Sequence, residues 1–215
     1  VYLKDIQERY DIRNDNDLEE LVDVIASSIG SLTNPTKLQN TFKTVKNSTL
    51  KDVTIKNYLG LLEDAFLIEK SVRYDIKGKK YISTPAKYYF EDLGLRNARL
   101  NMENLIYNEL RMRGYSVDVG QVETFEKNSE GKTIRKNFEV DFVCNLGAKR
   151  FYIQSALDMP TPEKVEQETN SLLRVNDSFQ KMIIVGGLAP SYINEDGIVI
   201  INIIDFLTKP ESLNI

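Results

Sequence analysis

The sequence predicts an α/β chain in two parts: a helical part closed by a β-hairpin, then a mixed-sheet α/β part. Three observations carry that prediction. Apolar residues recur every three or four positions in successive stretches between residues 16 and 65. A lysine-rich turn, Lys77-Gly78-Lys79-Lys80, then separates two short extended runs. Beyond residue 100 the apolar residues alternate or run continuously, as in strands, around two long helical stretches and a short last one.

In the first part, Val1 to Tyr10 mixes charged and apolar residues as a short helix or a linker does. Asp15-Asn16-Asp17 supplies cap-type residues before Leu18, Leu21, Val22, Ile25 and Ile29, one face of a helix ending near Gly30. Asn34-Pro35-Thr36 opens a second helix through Leu38, Phe42 and Val45, with proline in the first turn. Ser48 to Asp52 turns the chain into a third helix carrying Val53, Ile55, Tyr58, Leu59, Leu62 and Ala65. Phe66-Leu67-Ile68 begins a strand, and Tyr81-Ile82 returns after the lysine turn. Three helices and a hairpin are the order of a winged helix, in which the third helix reads the major groove and the hairpin touches phosphate. Lys51, Lys56 and Asn57 on the third helix, Arg73 on the hairpin flank, and Lys77, Lys79 and Lys80 at its tip are the candidate nucleic-acid contacts. Lys87 to Asn97, with Tyr88-Tyr89-Phe90, bridges to the second part, some of the aromatics joining the two domains.

In the second part, a helix over Met102–Arg113 presents Leu105, Ile106 and Leu110 inward, with Glu103 in its first turn and Gly114 as its cap. Val117–Phe125 and Ile134–Cys144 form an antiparallel pair around Ser129-Glu130-Gly131, and Phe151–Ala156 is the next strand. By parity, Glu139 and Asp141 point to one face of their strand, and Val140, Phe142 and Cys144 to the other. A helix over Pro160–Val175 turns Val165, Leu172 and Leu173 inward. Met182–Val185 and Ile198–Ile201 read as buried strands, and Asp205–Leu207 begins a last helix.

Composition bounds the chemistry. With 215 residues, 41% apolar and 28% charged, the chain has the makeup of a soluble globular protein. No apolar run approaches the ~20 residues of a membrane span. There is no histidine, which excludes His triads and His zinc sites. Cys144 is the one cysteine, read as a core residue of a cytoplasmic protein. No Gly-x-x-x-x-Gly-Lys-Ser/Thr loop occurs, so P-loop nucleotide hydrolysis is not housed in this stretch. A start at Val1 reads as a fragment of a longer polypeptide. Residues 1–35 carry a net −5, residues 36–99 +6 and residues 100–215 −5, so a basic middle lies between acidic flanks.

Several strings together resemble a known family. Tyr58-Leu59 through Leu62-Glu63-Asp64-Ala65-Phe66-Leu67-Ile68, Asp92-Leu93-Gly94-Leu95-Arg96-Asn97, Met102-Glu103-Asn104, Tyr107-Asn108-Glu109-Leu110, Arg113-Gly114-Tyr115 and Glu139-Val140-Asp141-Phe142 carry the likeness. The chain resembles the C-terminal portion of prokaryotic AAA+-type ATP-binding proteins, where a P-loop ATPase module precedes a winged helix and a domain similar to PD-(D/E)XK nucleases. The resemblance implies three segments: 1–15 leaving the absent ATPase module, 16–99 a winged helix, and 100–215 a restriction-endonuclease-like domain. It matches Glu103 to the helix glutamate of such nucleases and Asp141 to the metal-binding aspartate. Gln154 then stands where the second carboxylate belongs and Ala156 where the lysine belongs. Leu100-Asn101 also runs straight into Met102, where the family commonly has a further polar stretch; either this member is shorter or a loop is missing there.

A hard cation such as Mg²⁺ needs anionic oxygen ligands. Asp141 and Gln154 are the two ligands it would find, and Gln154 has lost a unit of charge. The lysine that should orient the nucleophile or stabilise phosphorane charge is gone, and losing one such group typically costs ~10²–10³ in rate. Arg150 shares the strand face but lies roughly 13 Å upstream; Lys149 has the wrong parity, and Lys164 is the migrated lysine an active enzyme would need. The resemblance thus implies a nuclease fold without nuclease activity and without a resident cofactor, ATP and Mg²⁺ belonging to the ATPase module. With the basic third helix and wing, the stretch reads as a nucleic-acid-binding or partner-sensing arm of an ATPase, its partners being DNA, the protein's own ATPase module and further copies of the chain. The alternatives are an active Mg²⁺-dependent nuclease, and a module serving only protein interaction or oligomerisation.

Overall fold

The computed structural model describes residues 2–10, 12, 15–45, 50–94 and 101–214. Among these the chain is mixed α/β, with seven helices and one eight-stranded mixed sheet. The chain divides into two compact units. The first is Val1–Ser71 with Thr84–Leu105, and the second is Val72–Ser83 with Ile106–Ile215. Ser48, Leu95, Arg96, Asn97 and Leu100, which the sequence places in turns or in the bridge, lie outside the described residues.

The first unit contains α1 (Tyr2–Arg9), α2 (Asp15–Ser27), α3 (Pro35–Val45) and α4 (Asp52–Asp64). Between the two options for the N-terminal stretch, helix holds: Ile6 is buried and α1 packs on α2. Leu18, Leu21, Val22, Ile25 and Ile29 are all buried, as their spacing requires. Asn34 Oδ1 accepts from the Lys37 amide at 2.7 Å and caps α3, with Pro35 in its first turn. Thr33, between α2 and α3, bridges antiparallel to Ala86.

The hairpin strands β1 (Ile68–Asp75) and β2 (Lys80–Phe90) begin and end in the first unit, while the turn between them belongs to the second. This departs from a boundary at residue 99. The cause is parallel pairing of β1 with β3 (Ser116–Lys127) through Arg73↔Val119, Tyr74↔Gly120 and Asp75↔Gln121, which gives the turn its neighbours. Tyr88, Tyr89 and Phe90 are all buried within β2, whose last five residues are covered on both faces.

Strand order in the sheet is β2-β1-β3-β4-β5-β6-β8-β7, with β3 to β8 belonging to the second unit. The remaining strands are β4 (Thr133–Leu146), β5 (Lys149–Ala156), β6 (Gln180–Val185), the short β7 (Tyr192–Ile193) and β8 (Val199–Asn202). The β3–β4–β5 pairings are antiparallel, whereas β5–β6–β8 are parallel. Helix α5 (Met102–Met112) crosses the division between the units at Leu105 and Ile106; α6 (Pro162–Leu173) and α7 (Ile203–Thr208) belong to the second. Ile106, Tyr107 and Leu110 are buried on α5. On α6 the buried residues are Thr169, Ser171 and Leu172, while Leu173, expected inward, is 50% exposed.

One register shift positions the site. Asp118 pairs with Val143, but Gly120 pairs with Val140, so two steps on β3 match three on β4. This is a β-bulge, with the extra residue at Asp141 or Phe142. The bulge ends the simple alternation predicted for β4, and Val140 and Val143 join the same core cluster although they lie three apart. Gly120 is required at this crossing, because a Cβ there would sit 2.8 Å from the Val140 Cβ and 2.9 Å from the Val143 Cγ2.

Candidate functional site

The site grows from the bulge. The registered β4–β5 pairing runs from Leu146↔Lys149 to Phe142↔Ile153. At the next step side chains supply the bonds between the strands. The Asp141 amide donates to Gln154 Oε1 at 3.3 Å. The Ser155 amide and hydroxyl both donate to Asp141 Oδ2, at 2.9 and 2.8 Å. Gln154 Oε1 also accepts from the Ser171 hydroxyl on α6, at 3.4 Å. The Asp141 residue is 8% exposed. The expected meeting of Asp141 with Gln154 is therefore present. Ser155 and Ser171 are the partners that sequence reading missed, and neither carries a charge that would have marked it.

Ala156, which the resemblance matches to the lysine of such nucleases, is 4% exposed and packs in the core with Val140, Leu172 and Val175. The cations weighed as its replacement are engaged elsewhere. Lys164 pairs with Glu168 at 2.6 Å. Arg150 donates to Asn145 Oδ1 at 2.7 Å and lies over the Tyr74 and Phe179 rings. Lys149 donates to Asn214.

Glu103 belongs to the first unit, as do its partners there: Lys87 Nζ and the Tyr89 hydroxyl donate to Glu103 Oε1 at 2.8 and 2.7 Å. Its other oxygen lies against Gly30, where a Cβ would come within 2.3 Å. Among the described residues no three His, Cys, Asp or Glu side chains are grouped to hold a metal ion. One carboxylate already accepting from Ser155, beside a neutral amide, does not fit Mg²⁺, which demands hard anionic oxygens in near-octahedral array.

The candidate nucleic-acid contacts separate between the units. Lys51 at the N-cap of α4 and Lys56 and Asn57 on the helix are exposed in the first, next to Asp52 and a Val53 that is 64% exposed. In the second, Arg73 donates to Gln121 Oε1 and Lys77 to the Glu123 carbonyl. Lys77, Lys79 and Lys80 are exposed, and Lys79 takes a φ of 50° in the turn.

Residues 1–105 match the model of a domain of unknown function, DUF8612. An uncharacterised protein of Haemophilus influenzae is 34% identical over 221 residues, covering 97% of this chain and 50% of the relative. The uncharacterised protein MJ1544 of Methanocaldococcus jannaschii is 27% identical over 172 residues, covering 76% of this chain and 36% of the relative. The chain thus spans half or less of these curated relatives. No solved structure matches. Among the described residues no helix is long and apolar enough to cross a membrane.

Proposed function

We propose that this chain is the non-ATPase C-terminal region of an AAA+-type ATP-binding protein, a nucleic-acid-binding arm whose second unit keeps a nuclease-like frame without nuclease chemistry. The observation that carries the reading is the closed state of Asp141. Its Oδ2 is taken by two Ser155 donors, its neighbour Gln154 is neutral, and Ala156 fills the lysine position as a core residue. A metal-dependent phosphodiesterase needs the opposite: anionic ligands turned to a cation and a positive group beside the reacting phosphate.

The order α2, α3, α4, β1, β2, with Thr33 bridging to Ala86, supports a winged helix in the first half. The order α5, β3, β4, β5, α6, β6, with antiparallel strands giving way to parallel ones, supports the nuclease-like frame. The exposed lysines of the hairpin turn favour a polyanion over an apolar partner.

Fluorescence anisotropy with a labelled DNA duplex tests the binding. If Lys77, Lys79 and Lys80 each meet a phosphate, the log–log salt slope is about −2.7, roughly 40-fold weaker binding between about 50 and about 200 mM salt. The triple alanine variant then loses that slope. Salt-independent or absent binding, together with a defined oligomer by light scattering, overturns the reading in favour of a protein-interaction module. Cleavage of DNA in Mg²⁺ that disappears in Asp141→Ala overturns the inactive assignment.

A further inference from the structure

The hairpin turn and the β3–β4 pair meet within the second unit. Past Val122 and Phe138, which pack in the core cluster, β3 and β4 run on as a two-stranded ribbon to the turn at Asn128–Lys132. The pairing there is regular, so Phe125 and its partner Arg135, each three residues farther out, lie on the opposite face. Phe125 is 67% exposed and the Arg135 side chain 60%. Lys77 of the hairpin turn donates to the Glu123 carbonyl at 2.7 Å. Glu123 precedes Phe125 by two residues, roughly 7 Å along the strand. The lysine turn and the exposed ring are therefore parts of one surface.

Charge on this surface is mostly of one sign. Residues 72–83 carry a net +3 and residues 123–136 a net +1, while the rest of the chain carries −8. Glu123 is paired with Arg135, and Glu126 lies on the core-side face between Lys136 at 2.6 Å and Arg174 at 3.0 Å. Lys77 donates to a carbonyl, which leaves its charge uncompensated. Lys79, Lys80, Lys127 and Lys132 are exposed, and none is in an ion pair among the described residues. Such a field draws a polyanion. A lone exposed apolar ring is ordinary surface; this one is flanked by cations, Arg135 across the ribbon and Lys127 two residues on along the same face. A phenyl ring cannot hydrogen-bond to a base edge, and a duplex hides its base faces in the stack. An unpaired base offers its face.

We propose that the outer face of the β3–β4 ribbon binds an unpaired DNA strand, with Phe125 stacking on a base and Lys77, Lys127 and Arg135 holding phosphates beside it. The inference rests on the polyanion reading of the hairpin lysines and narrows it from DNA in general to unpaired strands.

The test is fluorescence anisotropy of the full chain with a labelled oligothymidylate single strand and with a duplex of equal length. Phe125→Ala should weaken single-strand binding by about 5- to 150-fold, the range for losing one stacked base, and leave duplex binding unchanged. Its salt slope should match wild type, because no charge is removed, whereas Lys77→Ala should flatten the single-strand slope by about 0.7. Phe125→Leu, which keeps apolar bulk without a π-face, should behave as the alanine variant, and Phe125→Tyr should bind as wild type. Full single-strand affinity in Phe125→Ala or Phe125→Leu, with the lysine variants weakened, overturns this inference and leaves the polyanion reading standing. Equal losses on duplex and single strand overturn it in the same way. A wild-type chain that binds neither nucleic acid overturns both readings together.

Discussion

The ammonium of Lys87, wholly enclosed, lies 2.8 Å from Glu103 Oε1, and the Glu103 side chain is 15% exposed. Lys87 sits on β2 and Glu103 in the first turn of α5, so the pair ties that turn to the hairpin strand within the first unit. Glu103 also accepts from Tyr89 and leaves no room for a side chain at Gly30. The glutamate that family likeness matches to a nuclease helix is thus engaged by a lysine of its own unit.

Removing one partner of this pair strands a buried charge, so Glu103→Ala should lose about 3–5 kcal/mol. The double change Lys87→Met with Glu103→Leu should recover much of that loss, because the desolvation penalty goes with the charges. Urea denaturation of the three proteins checks this. A Glu103→Ala chain as stable as wild type would mean the pair contributes nothing.

Phe66 follows α4 at a φ of 56° and is 81% exposed. The amides of Phe66 and Leu67 reach back to the carbonyls of Glu63 and Leu62, a helix C-cap where glycine is the strain-free residue. Phe66→Gly should therefore raise stability by about 1 kcal/mol despite deleting a large apolar side chain. A lower denaturation midpoint would show that the ring makes contacts worth more than the strain.

Asp141→Ala removes the acceptor of two Ser155 bonds and leaves the half-buried Ser155 amide unpaired. The expected loss is about 1–3 kcal/mol, and on the proposed reading wild type and variant alike give only background in a Mg²⁺ cleavage assay. Asp141→Asn should recover part of the stability, because its amide oxygen still accepts from Ser155. Thermal denaturation and cleavage measured on the same samples check both.

Burial, and then the charge of Glu63, push the Tyr88 hydroxyl up to about 12. Its folded value lies above the ordinary value near 10, so its protonated form favours the fold and stability falls as pH climbs from about 10 toward 12. In a titration followed by tyrosinate absorbance, Tyr88→Phe should remove a late-titrating component and soften alkaline unfolding. An unchanged late phase in the variant would refute the assignment.

The helices of the first unit and the strands of the second are legible because their buried residues follow fixed periods. Leu18, Leu21, Val22 and Ile25 occupy one helical face, and Met182 to Ile184 form a continuous apolar run. Legibility fails where a residue's surroundings come from distant chain. Lys87 reads as a surface lysine until β2 is covered on both sides and Glu103 arrives from α5. Leu173 has helical spacing but faces out, because the buried stripe of α6 turns through Thr169 and Ser171.

The sequence by itself determined most of the element order and the neutrality of the β5 end, since Gln154 and Ala156 carry no charge wherever they sit. Tertiary structure alone decided which unit the hairpin turn joins, where Glu103 spends its carboxylate, and that Asp141 is closed by Ser155. Each of these depends on the parallel β1–β3 pairing, the α5 tie or the β4 bulge, which bring residues far apart in sequence into contact and leave no periodic signal in either partner.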